Sequence, residues 1–134
     1  MIGLDANVLV RFATGDDPGQ SEQATRLAGG LTPDRPGYVS IITTVELIWV
    51  LRRTYRMNRD QVTEGILKLL GAVQLVFEDA DDVAAALRLA EEANCDPADA
   101  LIMLRCSRAG CSATATLDRR AAALPGMRLL ADPP

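Results

Sequence analysis

Short apolar stretches alternate along this chain with longer segments in which apolar residues recur every three or four positions. The short stretches are typical of buried strands, and the longer spacing is typical of amphipathic helices. The pattern predicts strands over Met1–Leu4, Tyr38–Val39, Val73–Phe77, Ser112–Leu117 and Met127–Leu130. It predicts helices over Asn7–Ala13, Ile41–Tyr55 and Asp81–Ala93, and three more that begin at Asp17-Pro18, Asn58 and Asp96-Pro97.

Local signals mark the ends of several of these helices. Asp17-Pro18 and Asp96-Pro97 each place a capping side chain before a proline, which is a favoured order at a helix start. Asn58 and Gln61 have the spacing of a capping box. Glycines follow the last apolar positions of three helices and are expected to end them, at Gly29, Gly71 and Gly110.

Strands that alternate with helices predict an α/β fold with a central, mainly parallel sheet and helices on both faces. In such sheets a ligand site lies beyond the carboxyl ends of the strands. At 134 residues, of which 49% are hydrophobic, residues 1–134 are expected to form a single domain. We find no apolar run near the ~20 residues of a membrane span and no signal-peptide pattern, so we expect a cytoplasmic protein without a membrane partner.

The composition restricts the chemistry that the chain can perform. It contains no histidine, which excludes a Ser-His-Asp triad and histidine-ligated metals. The three cysteines have neither a C-x-x-C spacing nor a histidine to complete a zinc site, and we expect free, mostly buried thiols at Cys95, Cys106 and Cys111. Carboxylates therefore remain as the candidate reactive groups.

The formal net charge of −4 argues at first against a nucleic-acid partner. Setting aside the four acids discussed next leaves acidic and basic residues equal in number, which weakens the objection. Every basic residue except Lys68 is arginine, and Arg52, Arg53, Arg56 and Arg59 form a cluster. Either a solvated helix face or contacts to phosphate explain this cluster equally well.

Two acids interrupt apolar surroundings. Asp5 follows the first predicted strand. It either belongs to a functional site or caps the first helix, and Asn7 is also available as that cap. Glu46 lies among Ile42, Trp49 and other apolar helical neighbours, so it does not lie on a cleanly polar face of the helix. We expect a buried carboxylate there, paired with an arginine or, by preference, part of a site.

Two further acids have positions that suit a site or a helix end equally well. Asp99 falls at the third position of the helix that follows Asp96-Pro97, where an acid also favours the helix dipole. Asp118 follows a predicted strand and alternatively caps a short helix over Arg119–Leu124. Grouped carboxylates suit Mg²⁺ or Mn²⁺, which prefer oxygen ligands and promote phosphodiester hydrolysis.

The order and setting of these acids resemble the PIN-domain nucleases, and most closely the VapC-type toxins of bacterial toxin–antitoxin pairs. The resemblance rests on Leu4-Asp-Ala-Asn-Val-Leu-Val-Arg11, Thr44-Val-Glu-Leu-Ile-Trp-Val-Leu-Arg-Arg53, Asp96-Pro-Ala-Asp-Ala-Leu-Ile102 and Thr116-Leu-Asp-Arg119. Two positions depart from the family pattern: Ala6 replaces a Ser or Thr, and Leu117 replaces a common Phe. Neither departure removes an acid.

The resemblance implies a PIN-like three-layer α/β fold and a Mg²⁺- or Mn²⁺-dependent endoribonuclease. It places the catalytic quartet at Asp5, Glu46, Asp99 and Asp118, with Asp5 and Asp99 as principal metal ligands and Glu46 and Asp118 completing the shell. Asn7 and Thr116 would hold the carboxylates, and Asp96 would cap its helix. A homodimer, an antitoxin that covers the site, and inhibition of translation are implied as well.

Other interpretations predict different observations. A phosphoacceptor receiver domain needs an acidic pair after the first strand and a lysine late in the chain, and this sequence has neither. A non-catalytic dimeric module predicts that Glu46 pairs with an arginine and that no divalent ion binds. A nuclease directed at DNA would use the same carboxylates as one directed at RNA.

Overall fold

The computed structural model of the chain describes residues 1–14 and 18–130 and divides into two compact units, Met1–Ala80 and Asp81–Pro134. In the first unit, three strands form a parallel sheet in the order β1 (Ile2–Gly3), β2 (Gly37–Val39) and β3 (Leu75–Phe77). Gly37 of the middle strand lies opposite Ile2 on one side and Leu75 on the other. The helices of this unit are α1 (Ala6–Thr14), α2 (Pro18–Gly30), α3 (Ile41–Arg53) and α4 (Arg59–Leu70).

The middle strand needs a glycine at Gly37. A Cβ atom added there would lie 2.6 Å from the Leu4 side chain and 3.1 Å from that of Leu75. Both leucines would have to move, because the first distance is far shorter than carbon atoms tolerate. The close packing of β2 against its neighbours therefore depends on the absence of a side chain.

The second unit contains α5 (Ala80–Ala93), which begins at the boundary residue, and α6 (Pro97–Arg108). Strands β4 (Thr114–Thr116) and β5 (Met127–Leu129) pair in parallel, with a single 3₁₀ turn over Ala121–Ala123 between them in sequence. Apolar residues of α5 and α6 are buried, including Val83, Leu87 and Leu101. The α/β class and the parallel pairing predicted from the sequence are confirmed.

The predicted helix signals are confirmed where the structure describes them, except that α2 continues through Gly29 and ends at Gly30. Asn58 and Gln61 form both hydrogen bonds of a capping box, each 2.9 Å long, and Gly71 ends α4. The Asp96 side chain accepts a hydrogen bond from the amide of Ala98. The cap proposed at Asp17 lies outside the described residues, although α2 does begin at Pro18.

The strands and two helix ends differ modestly from expectation. Each predicted strand of four or more residues is shorter in the structure, and α3 ends at Arg53 rather than Tyr55. The short helix expected over Arg119–Leu124 is the 3₁₀ turn. The three cysteines, all within the described residues, form no disulfide, and only Cys95 is buried, against the expectation that most of them would be. None of the helices within residues 1–14 and 18–130 is long and apolar enough to cross a bilayer.

Candidate active site

Asp5 occupies the junction between β1 and α1. Its backbone carbonyl accepts hydrogen bonds from the amides of Val8 and Leu9, at 3.1 and 3.3 Å, so Asp5 begins the helix. Its carboxylate Oδ1 accepts a third hydrogen bond from the amide of Ala6 at 2.7 Å. Asn7 lies inside α1 and therefore does not cap it. Asp5 is nevertheless exposed, so its position allows both helix capping and ligand binding.

The expected burial of Glu46 is wrong. The side chain lies on the exposed face of α3, and its apolar neighbours Ile42 and Trp49 are themselves 77% and 51% exposed. The buried face of α3 instead carries Leu47, Ile48 and other residues on the opposite side of the helix. The apolar neighbours thus misled the expectation, because they face outward with Glu46.

The arginine partner that a purely structural role predicts for Glu46 is also not found. Within the described part of the chain, Glu46 forms no ion pair with an arginine. The nearest basic residue along its helical face, Arg53, instead contacts the Trp49 ring. Glu46 is therefore an exposed carboxylate that lies in a partly apolar surface.

Asp99 lies in the first turn of α6, at the third helical position, as predicted. The preceding Asp96 caps the helix: its Oδ1 accepts from the Ala98 amide at 2.8 Å. Asp99 is left without a capping task and is half-buried. Its local setting leaves the carboxylate available for another role.

Asp118 follows β4 and organises the turn after it. Its Oδ1 accepts hydrogen bonds from the amides of Arg120 and Ala121, at 2.8 and 3.3 Å. The Asp118 amide donates to Thr116 Oγ1 at 3.0 Å. The predicted support from Thr116 therefore acts on the backbone of Asp118, while Asn7 forms no hydrogen bond with a carboxylate among the described residues.

Neighbouring acids affect the carboxylate of Asp99. Burial, together with the negative charges of Asp96 and Asp118, raises the pKa of Asp99 above its ordinary value. The two neighbours must therefore lie near enough for their charges to oppose ionisation of Asp99. A cation close to Asp99 would offset this repulsion.

One buried acid was not predicted from the sequence. Asp82, in the first turn of α5, is only 6% exposed and pairs with two arginines of α6. Arg108 donates to Oδ1 from Nε and Nη2, at 3.1 and 3.0 Å, and Arg105 donates to Oδ2 at 3.3 Å. These contacts, led by the Arg108 hydrogen bond, lower the pKa of Asp82. Asp82 therefore stabilises the packing of α5 against α6.

All four candidate acids lie within the part of the chain that matches a known protein family. A family model for the PIN domain matches residues 2–127, which include all four acids. The chain belongs to the PIN domain family. PIN domains are generally metal-dependent nucleases, so the assignment makes a nuclease the expected activity class of this chain. A search of curated proteins found no match.

The four candidate acids of this PIN domain have the right donor atoms for a metal ion, but they are divided between the two units. Asp5 and Glu46 belong to the first unit, and Asp99 and Asp118 belong to the second. Taken over residues 1–14 and 18–130, no group of three or more Cys, Asp or Glu side chains is assembled to hold a metal. The donor type does fit, because carboxylate oxygen is what Mg²⁺ and Mn²⁺ prefer. The charge of Asp118, which helps to raise the pKa of Asp99, also favours a nearby cation.

Proposed function

We propose that this PIN domain is a metal-dependent endoribonuclease that hydrolyses RNA phosphodiester bonds. The family match over residues 2–127 supports the proposal most strongly, because PIN domains are generally metal-dependent nucleases and the matched residues include all four acids. The catalytic acids are Asp5, Glu46, Asp99 and Asp118. Asp5 and Asp99 would be the principal ligands of a Mg²⁺ or Mn²⁺ ion, and Glu46 and Asp118 would complete its surroundings.

The bound ion would activate water and neutralise charge on the leaving oxygen. Backbone hydrogen bonds hold one oxygen of two of these carboxylates and so fix their orientation. Oδ1 of Asp5 is held by the Ala6 amide, and Oδ1 of Asp118 is held by two amides of the following turn. In each case Oδ2 keeps no hydrogen-bond partner among the described residues, so it can face a ligand.

Cleavage of nucleic acid by the purified protein tests this proposal. We expect RNA to be cut in the presence of Mn²⁺ and to survive in EDTA, with DNA cut slowly or not at all. Asp99→Asn should abolish cleavage, whereas Asp81→Asn should leave it unchanged. Asp81 is a matched control because it is an exposed acid, also in the first turn of a helix of the second unit.

Metal binding gives a second, independent measurement. Mn²⁺ should raise the melting temperature of the parent protein, because an ion bound only by the folded state stabilises it. The increase should disappear in the variant that combines Asp5→Asn with Asp99→Asn. Cleavage of RNA that is equally fast in EDTA, or the lack of any metal effect, would overturn the proposal.

We further propose that the nuclease is the toxin of a toxin–antitoxin pair and acts in the cytoplasm to inhibit translation. The support is the resemblance of its four acidic stretches to VapC-type toxins. The implied partners are a second copy of the chain and an antitoxin that covers the active site. Expression of the chain alone should arrest bacterial growth, and Asp99→Asn should relieve the arrest; unimpaired growth at high expression would contradict a toxin.

A further inference from the structure

One face of α3 combines the candidate acid with an exposed aromatic ring. Ile42, Glu46, Trp49 and Arg53 recur at helical spacing and form a single stripe, here called the α3 stripe. Trp49 is 51% exposed and is the only tryptophan of the chain. An exposed indole beside a carboxylate and an arginine suits the binding of a ligand with a flat, polar ring system.

The Trp49 ring and the Arg53 guanidinium are already stacked. The guanidinium carbon lies 3.7 Å from the centre of the ring, within the range of a cation–π contact. The contact holds two long side chains in a layered arrangement at the surface. A nucleobase is a third planar group that can extend such a stack, since indole and guanidinium faces both accept bases.

Positive charge follows the stripe at the end of α3. Arg53 and Arg56 are exposed, and Arg52 and Arg53 lie in the last turn of the helix. These residues belong to the arginine cluster that the sequence left undecided between a solvated face and phosphate contacts. The exposed ring beside them favours a polynucleotide, because single-stranded nucleic acid presents bases to aromatic rings and phosphates to arginines.

We propose that Trp49 and Arg53 form a base-stacking platform for single-stranded RNA. An unpaired base stacks on the Trp49–Arg53 pair, and the adjacent phosphates contact Arg53 and Arg56. Glu46 precedes Trp49 by three residues, about 4.5 Å along the helix axis. The inference rests on the proposed ribonuclease function, and it makes Trp49 a substrate-positioning residue one helical turn from a candidate catalytic acid.

The fluorescence of Trp49 reports directly on stacking, because no other tryptophan contributes. The parent protein in EDTA should lose most of its tryptophan fluorescence when titrated with a short oligouridylate. An abasic oligomer of the same length carries the same phosphates without bases and should leave the emission unchanged. A matched DNA oligomer compares the two sugars with the same bases.

Binding by variants separates stacking from charge. Trp49→Leu should weaken binding of labelled oligouridylate by about fivefold to a hundredfold, as expected for loss of one stacked base, while Trp49→Phe keeps most of the affinity. Arg53→Lys should weaken binding because it keeps the charge but loses the planar group. Arg88→Ala is the matched control: it removes one exposed helical arginine and should leave the affinity unchanged.

The outcomes distinguish this inference from the proposed function. Metal-dependent RNA cleavage with no change in Trp49 fluorescence would overturn the platform and leave the nuclease standing. Base-dependent quenching without cleavage would support the platform and count against the nuclease. Emission that changes with protein concentration but not with RNA, together with an altered oligomeric state in Trp49→Leu, would show a protein interface instead and overturn the inference.

Discussion

Asp99 illustrates how a candidate catalytic residue can reduce the stability of its own fold. Burial and two neighbouring carboxylates raise its pKa, which means that the folded protein disfavours its ionised form. At neutral pH without metal, Asp99→Asn should therefore raise the free energy of unfolding, by less than about 1 kcal/mol because the site is partly exposed to solvent. Urea denaturation in EDTA measures this effect, and a clear loss of stability would contradict it.

Asp82 should behave in the opposite way, because its charge is stabilised in the folded state. Asp82→Asn weakens the hydrogen bonds from Arg105 and Arg108 and should cost about 1 kcal/mol, since both arginines remain partly in water. The neighbouring exposed acid provides the control Asp81→Asn, which should cost less. Chemical denaturation of the three proteins compares these values.

The pH dependence of the Asp82 contribution follows from the direction of its pKa shift. The folded pKa lies below the ordinary value of 3.8, so the stabilisation is present above pH 3.8 and is lost as the pH falls through the folded value. The difference in unfolding free energy between the parent protein and Asp82→Asn should thus be constant near neutral pH. It should shrink below pH 3.8; a difference that persists in strong acid would exclude this origin.

At the residue scale, sequence reasoning succeeded where the cause is local. Asp96 and Asn58 were identified as caps because a cap depends on residues within one helical turn. The Asp82 pairing was missed because its partners Arg105 and Arg108 lie far along the chain, and no spacing rule connects them. Glu46 was misplaced because apolar neighbours were taken as evidence of burial.

At the scale of the element, α3 is the helix whose position determines where both Glu46 and Trp49 lie. Ser40 caps its start by accepting from the Thr43 amide at 3.2 Å, and Glu78, which follows β3, accepts from the Ile41 amide at 2.8 Å. A residue distant in sequence thus completes the cap. The start of α3 is tied to the end of β3 by this carboxylate.

Removal of the local cap tests its contribution. Ser40→Ala should lower the free energy of unfolding by about 1 kcal/mol, because the amide that Ser40 satisfies would be left to water. Ser40→Thr keeps the hydroxyl and should retain most of the stability. Denaturant titrations of both variants give the comparison, and equal stability of Ser40→Ala and the parent would show that Glu78 alone suffices.

The elements themselves were largely predictable, whereas their lengths were not. Apolar periodicity and capping signals located the strands and helices of residues 1–14 and 18–130 within a few residues, but the strands at Leu75–Phe77 and Thr114–Thr116 are shorter than their apolar runs. Strand ends depend on hydrogen bonds to a neighbouring strand, which the local sequence does not encode. The acids at strand and helix ends were found because they adjoin elements that the pattern already places.

At the scale of the whole molecule, the proposed function requires a chain with a net charge of −4 to bind a polyanion. We expect the acids of the second unit to repel RNA when no cation is bound. The double variant Asp99→Asn with Asp118→Asn should bind oligouridylate more tightly than the parent in EDTA, although it cannot cut RNA. Fluorescence anisotropy of a labelled oligomer at fixed ionic strength measures the affinity.

A second double variant with the same change in charge tests whether the tighter binding depends on where the acids lie. Asp60→Asn with Glu64→Gln removes the same charge from α4, where both acids contact basic side chains. Its influence on the affinity should be smaller. If both double variants tighten binding equally, total charge rather than the acids at 99 and 118 controls the interaction.

The way in which Asp5 and Asp118 are held bears on how this protein can evolve. Each uses Oδ1 to accept backbone hydrogen bonds, a task that the amide oxygen of asparagine performs equally well. A single-nucleotide change from an aspartate codon to an asparagine codon would thus remove charge from the site while keeping the turn that the side chain supports. Under the proposed function, loss of activity and loss of folding are therefore separable at these positions, and one substitution would give a folded protein without nuclease activity.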